Sequence, residues 1–148
     1  MPSEQSASFE LVLVDLKGAM VAAWRTAFAP FPEVAIFHID ILTIAENTVV
    51  SPANSYGYMD GGIDRTYVAH FGVQLQVAVS EAIKRHPEAL LPVGASLIVQ
   101  TRHQRIPYLI VSPTMTLPGP IHPVNCYHAM LATLQVAARH GKIVNRAD

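Results

Sequence analysis

The sequence predicts an α/β fold in which strands feed helices in stacked layers. Three observations carry that expectation. Short apolar, β-branched runs recur along the chain, longer stretches between them repeat their apolar residues at helical spacing, and turn residues separate the two kinds of segment. At 148 residues there is room for one domain with a sizeable core. The whole chain, 1–148, is read as that domain, with a polar lead at 1–8 and a short tail at 142–148.

In chain order, "FELVLVDL" reads as a buried strand, and "KGAMVAAWRTAFAPFP" as a helix with Met20, Trp24 and Ala27 or Phe28 on one face, stopped by Pro30 and Pro32. "EVAIFHIDIL" and "NTVVS" are short and β-branched, as strands of a mainly parallel sheet are. From Gly61 a helical stripe runs through Val68, Phe71, Leu75, Val79 and Ile83; Gly72 is a point of division and His86-Pro87 ends the pattern. "GASLIVQT" and "PYLIVSP" are two strands around the basic loop "RHQRI" and fit a hairpin. A last helix is expected from Pro123 to about His140, with Gly141 at its C-cap and Cys126, Met130, Thr133 and Ala137 on one face.

Hydrophobic residues make up 51% of the chain and charged residues only 14%, against a usual charged share of about 25%. Much of each element must therefore be buried on both faces or at a subunit contact, and a disordered chain is excluded. With 10 Lys+Arg against 11 Asp+Glu, the formal charge of -1 offers no broad footprint for nucleic acid or an anionic membrane, so a small ligand is the expected partner. A single cysteine cannot form an internal disulfide, and "MPSEQSASFE" lacks the pattern of a signal peptide, which together predict a cytoplasmic protein. No apolar run approaches the roughly 18 residues that span a bilayer.

The functional question concentrates on "VVSPANSYGYMDGGID", Val49 to Asp64, where a strand gives way to a helix. Ligands of α/β folds bind beyond the C-terminal ends of strands, and Gly61-Gly62 lets a ligand approach the backbone where free N–H groups at a helix start favour an anion. A tight glycine turn with no ligand accounts for the same two glycines.

Extended to "VVSPANSYGYMDGGIDRTYVAHFG", this stretch resembles without a gap the signature of macrodomains, the ADP-ribose-binding α/β modules, and the upstream "FHIDI" resembles the family's G-D-I segment. The resemblance runs from Phe9 to about Gly141 and implies a three-layer α/β/α fold with a mixed, mainly parallel sheet. By position it implies that Asp40 accepts the adenine amino group beside the Ile41 backbone, that Asn54 orients the distal ribose, and that Gly61, Gly62 and Ile63 hold the phosphates and ribose. Asp64 matches the Asp that activates a water in hydrolytic members, with Asn54 positioning the sugar. Ser112 and Thr114, in "IVSPTM", match a segment that lines the site, and Tyr56 or Tyr58 is a loop contact. Each residue also has a plain structural role: a cap for Asp40, an Asx-turn for Asn54, a helix start for Asp64.

The implied function is binding of ADP-ribose or a related adenine nucleotide derivative, with hydrolysis of an ADP-ribosyl or O-acyl-ADP-ribose bond as its catalytic extension. The alternative is a degenerate module that serves interaction or assembly, because Ser51-Pro52 and Met59-Asp60 depart from the family's Asn and four-glycine run. His122, Cys126 and His128 lack metal-ligand spacing, so no metal is expected; Cys126 reads as a small buried helix residue rather than a nucleophile. There is no P-loop and no serine-hydrolase elbow, and no cofactor is expected. Family members continue past the last helix into another core strand and a second glycine-rich loop, where this sequence ends in "GKIVNRAD". A homodimer is expected on that ground, with "KIV", Lys142 to Val144, as a pairing strand.

Overall fold

A computed structural model describes residues 9–140. Strand β1 (Val12–Asp15), helix α1 (Gly18–Ala27) and strand β2 (Ala35–His38) form a parallel β-α-β unit. The buried face of α1 is Val21, with Trp24 and Phe28 half-buried, whereas Met20 is exposed. Trp24 and Phe28 lie on the expected face, and only the Met20 position is corrected: its neighbour Val21 takes the buried place. A one-turn helix, α2 (Ile41–Ile44), follows β2 and ends the run expected as one strand; Asp40 caps it.

Strand β3 (Thr48–Ser51), helices α3 (Gly62–Phe71) and α4 (Val73–Lys84), strands β4 (Leu97–Gln100) and β5 (Tyr108–Val111), and helix α5 (Val124–Arg139) complete the described chain. The order is β3-β5-β4, with β3 parallel to β5 and β4 antiparallel to it, so the expected hairpin forms. Gly72, at φ 101°, separates α3 from α4 in a conformation that L side chains rarely adopt. Phe71, Leu75, Val79 and Ile83 are buried as the stripe predicted, and Tyr67 joins them. They pack with Leu91, Ile106, Leu109 and Val111 in one core cluster on this side of the sheet. Helix α5 buries Ala129, Ala132, Thr133, Val136 and Ala137, while Cys126 is exposed. The expectation of a buried Cys126 is therefore corrected: the helix meets the sheet only from its second turn onward.

Among the described residues the strands form two sheets rather than one continuous sheet. The Tyr108 N–H donates to the Asn47 carbonyl and the Ser112 N–H to the Ser51 carbonyl, so alternate residues of β3 face β5. The backbone of Val50 faces the opposite edge, where its carbonyl accepts the Tyr67 hydroxyl at 3.0 Å and no described strand pairs. A slot of about 590 Å³ lies between the sheets, lined by Val12 and Val14 of β1, Phe37 of β2, Thr48 to Val50 of β3 and Ala137 of α5. Lys142 to Val144 lie outside the described residues.

Candidate functional site

Strand β3 ends at Ser51 and α3 starts at Gly62, so the loop between them sits where the glycine-containing motif was expected to act. Its first half is closely held. The Asn54 side chain makes an Asx-turn: Oδ1 accepts the N–H groups of Tyr56 and Tyr58, each at 3.1 Å, and Nδ2 donates to the Tyr58 carbonyl at 2.8 Å. From α4, Gln76 reaches the same turn. Its Oε1 accepts the Met59 N–H at 2.8 Å and its Nε2 donates to the Gly57 carbonyl at 2.6 Å. Gly57 itself has φ +76°, and a Cβ there would lie 2.7 Å from Ile83 Cδ1, so only glycine lets the turn rest on α4. Tyr56 and Tyr58 are left on the surface, 38% and 53% exposed, with their rings stacked at 6.0 Å and 28°.

The second half of the loop is open. Gly61 and Gly62 are exposed, and a Cβ at either would meet nothing within 4 Å. Gly61 is the N-cap of α3 and brings no side chain to satisfy the first-turn amides. A surface opening, an uncapped helix start and the positive end of a ten-residue helix therefore coincide. Ile63, the next residue, is partly buried and packs against the core.

Asp64 is buried and turned inward, accepting the hydroxyl of Ser51. Burial pushes its carboxyl above the usual carboxylate range, and the Ser51 hydrogen bond opposes that shift. One turn on, burial and the negative charge of Asp64 push the Tyr67 phenol up as well, so it stays neutral and donates to Val50. Ser51, which stands where the family signature has Asn, thus fastens the end of β3 to the start of α3.

The other expected residues divide. Asp40 is exposed, and its Oδ1 accepts the Leu42 N–H at 2.9 Å, so the capping role is present. Ile41 opens α2 and lines the slot, the one expected ligand contact to do so. Thr114 donates its hydroxyl to the Pro52 carbonyl at 3.3 Å and its N–H to the Ala53 carbonyl at 2.9 Å, holding the loop's entry. Ser112 is only 1% exposed, and its hydroxyl joins Ser96 (2.6 Å) to Thr133 (2.5 Å) beneath α5. That corrects its placement on an open site: the strand's alternation turns this hydroxyl toward the helix layer. Sequence reasoning missed Gln76, whose faint signal is a polar side chain beside the apolar stripe of Leu75 and Val79. Among the described residues no group of three His, Cys, Asp or Glu is placed to hold a metal ion.

The Macro domain family model matches residues 50–145, more than half of the chain, beginning within β3. The chain belongs to the macrodomain family. Macrodomains as a family are ADP-ribose-binding modules. Among solved structures, the macrodomain of Mycobacterium tuberculosis DarG is similar to this one with a TM-score of 0.58 and 20% sequence identity, over 68% of this chain and 65% of that one. That likeness concerns the fold, and this macrodomain spans about 65% of the length of the DarG chain it matches. No curated protein matches the sequence. No described helix is long and apolar enough to cross a membrane.

Proposed function

We propose that this macrodomain binds ADP-ribose or a related adenine nucleotide derivative at the open half of the β3–α3 loop. The observation that carries the reading is the coincidence of exposed Gly61 and Gly62, with no atoms in front of them, and the uncapped start of α3. An anionic diphosphate is the kind of group that such a backbone receives. Asp40 reads the adenine amino group, Ile41 flanks it, Gly61 to Ile63 hold the phosphates and distal ribose, and Tyr56 contacts the ligand from the loop. Asn54, whose Oδ1 already accepts two N–H groups, supports the loop and has one Nδ2 hydrogen left for a ribose hydroxyl. Calorimetric titration tests the reading: saturable binding is expected, and no heat at millimolar ADP-ribose contradicts it.

Hydrolysis of an ADP-ribosyl or O-acyl-ADP-ribose bond is a second reading, favoured by one observation. A carboxylate whose pKa is raised by burial is better suited to take a proton from water than an ordinary one. A hydrolase loses turnover on Asp64→Ala while a binder keeps its ligand, so measuring both properties separates the readings. A non-catalytic interaction module is the outcome in which neither binding nor turnover is found.

The same macrodomain is proposed to be a homodimer. The edge of β3 bearing Val50 has no described strand beside it, and an open edge next to an apolar slot favours pairing with a second copy. Light scattering at micromolar concentration should give twice the subunit mass; 16.1 kDa throughout a dilution series contradicts it.

A further inference from the structure

Resting on the ADP-ribose reading, we infer that Gln76 is a positioning residue: a clamp from α4 that fixes the turn before Gly61-Gly62 and so presents the glycine backbone to the ligand in its binding geometry. The loop from Pro52 to Gly61 contains no regular strand or helix; backbone hydrogen bonds tie its first part, Ala53 to Ser55, to the segment after β5 and to Leu91, and beyond Gly57 the contacts that hold it are those of side chains. Asn54 closes the turn on itself, yet nothing in that closure fixes the turn relative to α4. Gln76 does so at two points, accepting from Met59 and donating to Gly57. The carboxamide supplies both functions from one end of the side chain: a carboxylate lacks the donor and an aliphatic side chain lacks both.

The consequence follows from the order of residues along the chain. Met59 is the last anchored residue before the opening, with its side chain in the core and its N–H on Gln76. Asp60 and Gly61 then lead to the first turn of α3, which Ser51 and Tyr67 bolt to β3 through Asp64 and the Val50 carbonyl. The exposed glycine backbone is thus strung across a short gap between two fixed ends. Glycine has the widest conformational freedom of any residue, so the position of its amides is set by those ends and not by its own packing. Releasing the Met59 end lets the Asp60–Gly62 segment wander, and a ligand must then order it on binding.

The test compares the wild-type chain with Gln76→Leu, which puts an apolar side chain there and removes both hydrogen bonds, and Gln76→Glu, which keeps only the acceptor. Three quantities are read on each: ADP-ribose affinity by calorimetry, backbone amide exchange at Met59, and the melting temperature. Faster exchange at Met59 in Gln76→Leu is expected, with affinity lowered roughly tenfold at a temperature where the variant is fully folded, and Gln76→Glu retaining protection at Met59. A folded Gln76→Leu chain that binds ADP-ribose as tightly as the wild type overturns the positioning role, whatever its melting temperature. If Gln76→Leu does not fold, Gln76→Glu decides by the same comparison, and wild-type affinity in it overturns the need for the Gly57 contact. If the wild type itself binds no ADP-ribose, the functional reading fails, while unchanged exchange at Met59 in Gln76→Leu is what would refute the clamp.

Discussion

The two β-units of this macrodomain are built to different standards. Around β3, β5 and β4, helices α3 and α4 lock into one buried cluster that includes Tyr67, Leu75, Ile83, Leu91, Ile106 and Leu109. Around β1 and β2, α1 buries Val21 and β1 buries Leu13, and exposed apolar residues such as Val12 and Phe37 face the slot or solvent. The difference maps onto the proposed site. The glycine loop, Asn54 and Asp64 belong to the well-packed unit, whereas Asp40 is exposed at the start of α2, whose Ile41 and Leu42 are only partly buried against the same cluster. A phosphate and ribose cradle needs fixed amides, and the dense unit can hold them.

The largest effects should separate the units by stability. Leu109→Ala, at a position with no exposure, is expected to lower unfolding free energy by about 3 kcal/mol or more, and Leu13→Ala by roughly half as much because β1 borders open space. Urea unfolding measures both, and equal losses would contradict the contrast. A smaller effect distinguishes the two halves of the loop. Gly57→Ala should cost about 2 kcal/mol, since it meets both positive φ and the Ile83 side chain, while Gly62→Ala, with positive φ but free space, should cost only about 1 kcal/mol.

How much of this was visible beforehand follows from where each signal comes from. The strand ends and helix starts around the glycine motif were legible because β-branched runs, glycines and the helical stripe each mark a local preference, and Phe71 to Ile83 buried as their spacing required. The first buried position of α1 was not, since Met20 and Val21 are both apolar and only packing chooses between them. Cys126 was placed inside because small apolar residues usually are, but the sheet does not extend beneath the first turn of α5. For Asp40 and Asn54, both the plain structural role and the family role were legible, and the observed hydrogen bonds are those of the cap and the Asx-turn. Gln76 left only a faint signal because its partners are backbone groups distant in sequence, which no motif encodes.

The smallest effect concerns protons. Because the folded-state pKa of Asp64 lies above its unfolded value, the native state holds the proton more tightly, so this group's contribution to stability is greatest below the unfolded pKa and declines as pH rises through the folded one. Asp64→Asn keeps an acceptor for Ser51 and removes the buried charge. It should flatten that decline and raise the melting temperature at neutral pH relative to the wild type. A variant that melts lower at neutral pH, with the decline intact, would show that Asp64 is not held at the cost the burial implies.

The most direct measurement of the central claim is to follow backbone amide resonances while ADP-ribose is added. The account predicts that the largest changes fall on Gly61, Gly62, Ile63 and Asp64, with a second, smaller set at Asp40 and Ile41, and that Leu97 to Gln100 on the opposite edge of the sheet stay still. Changes confined to the slot between the sheets, or no changes at saturating ligand, would contradict it.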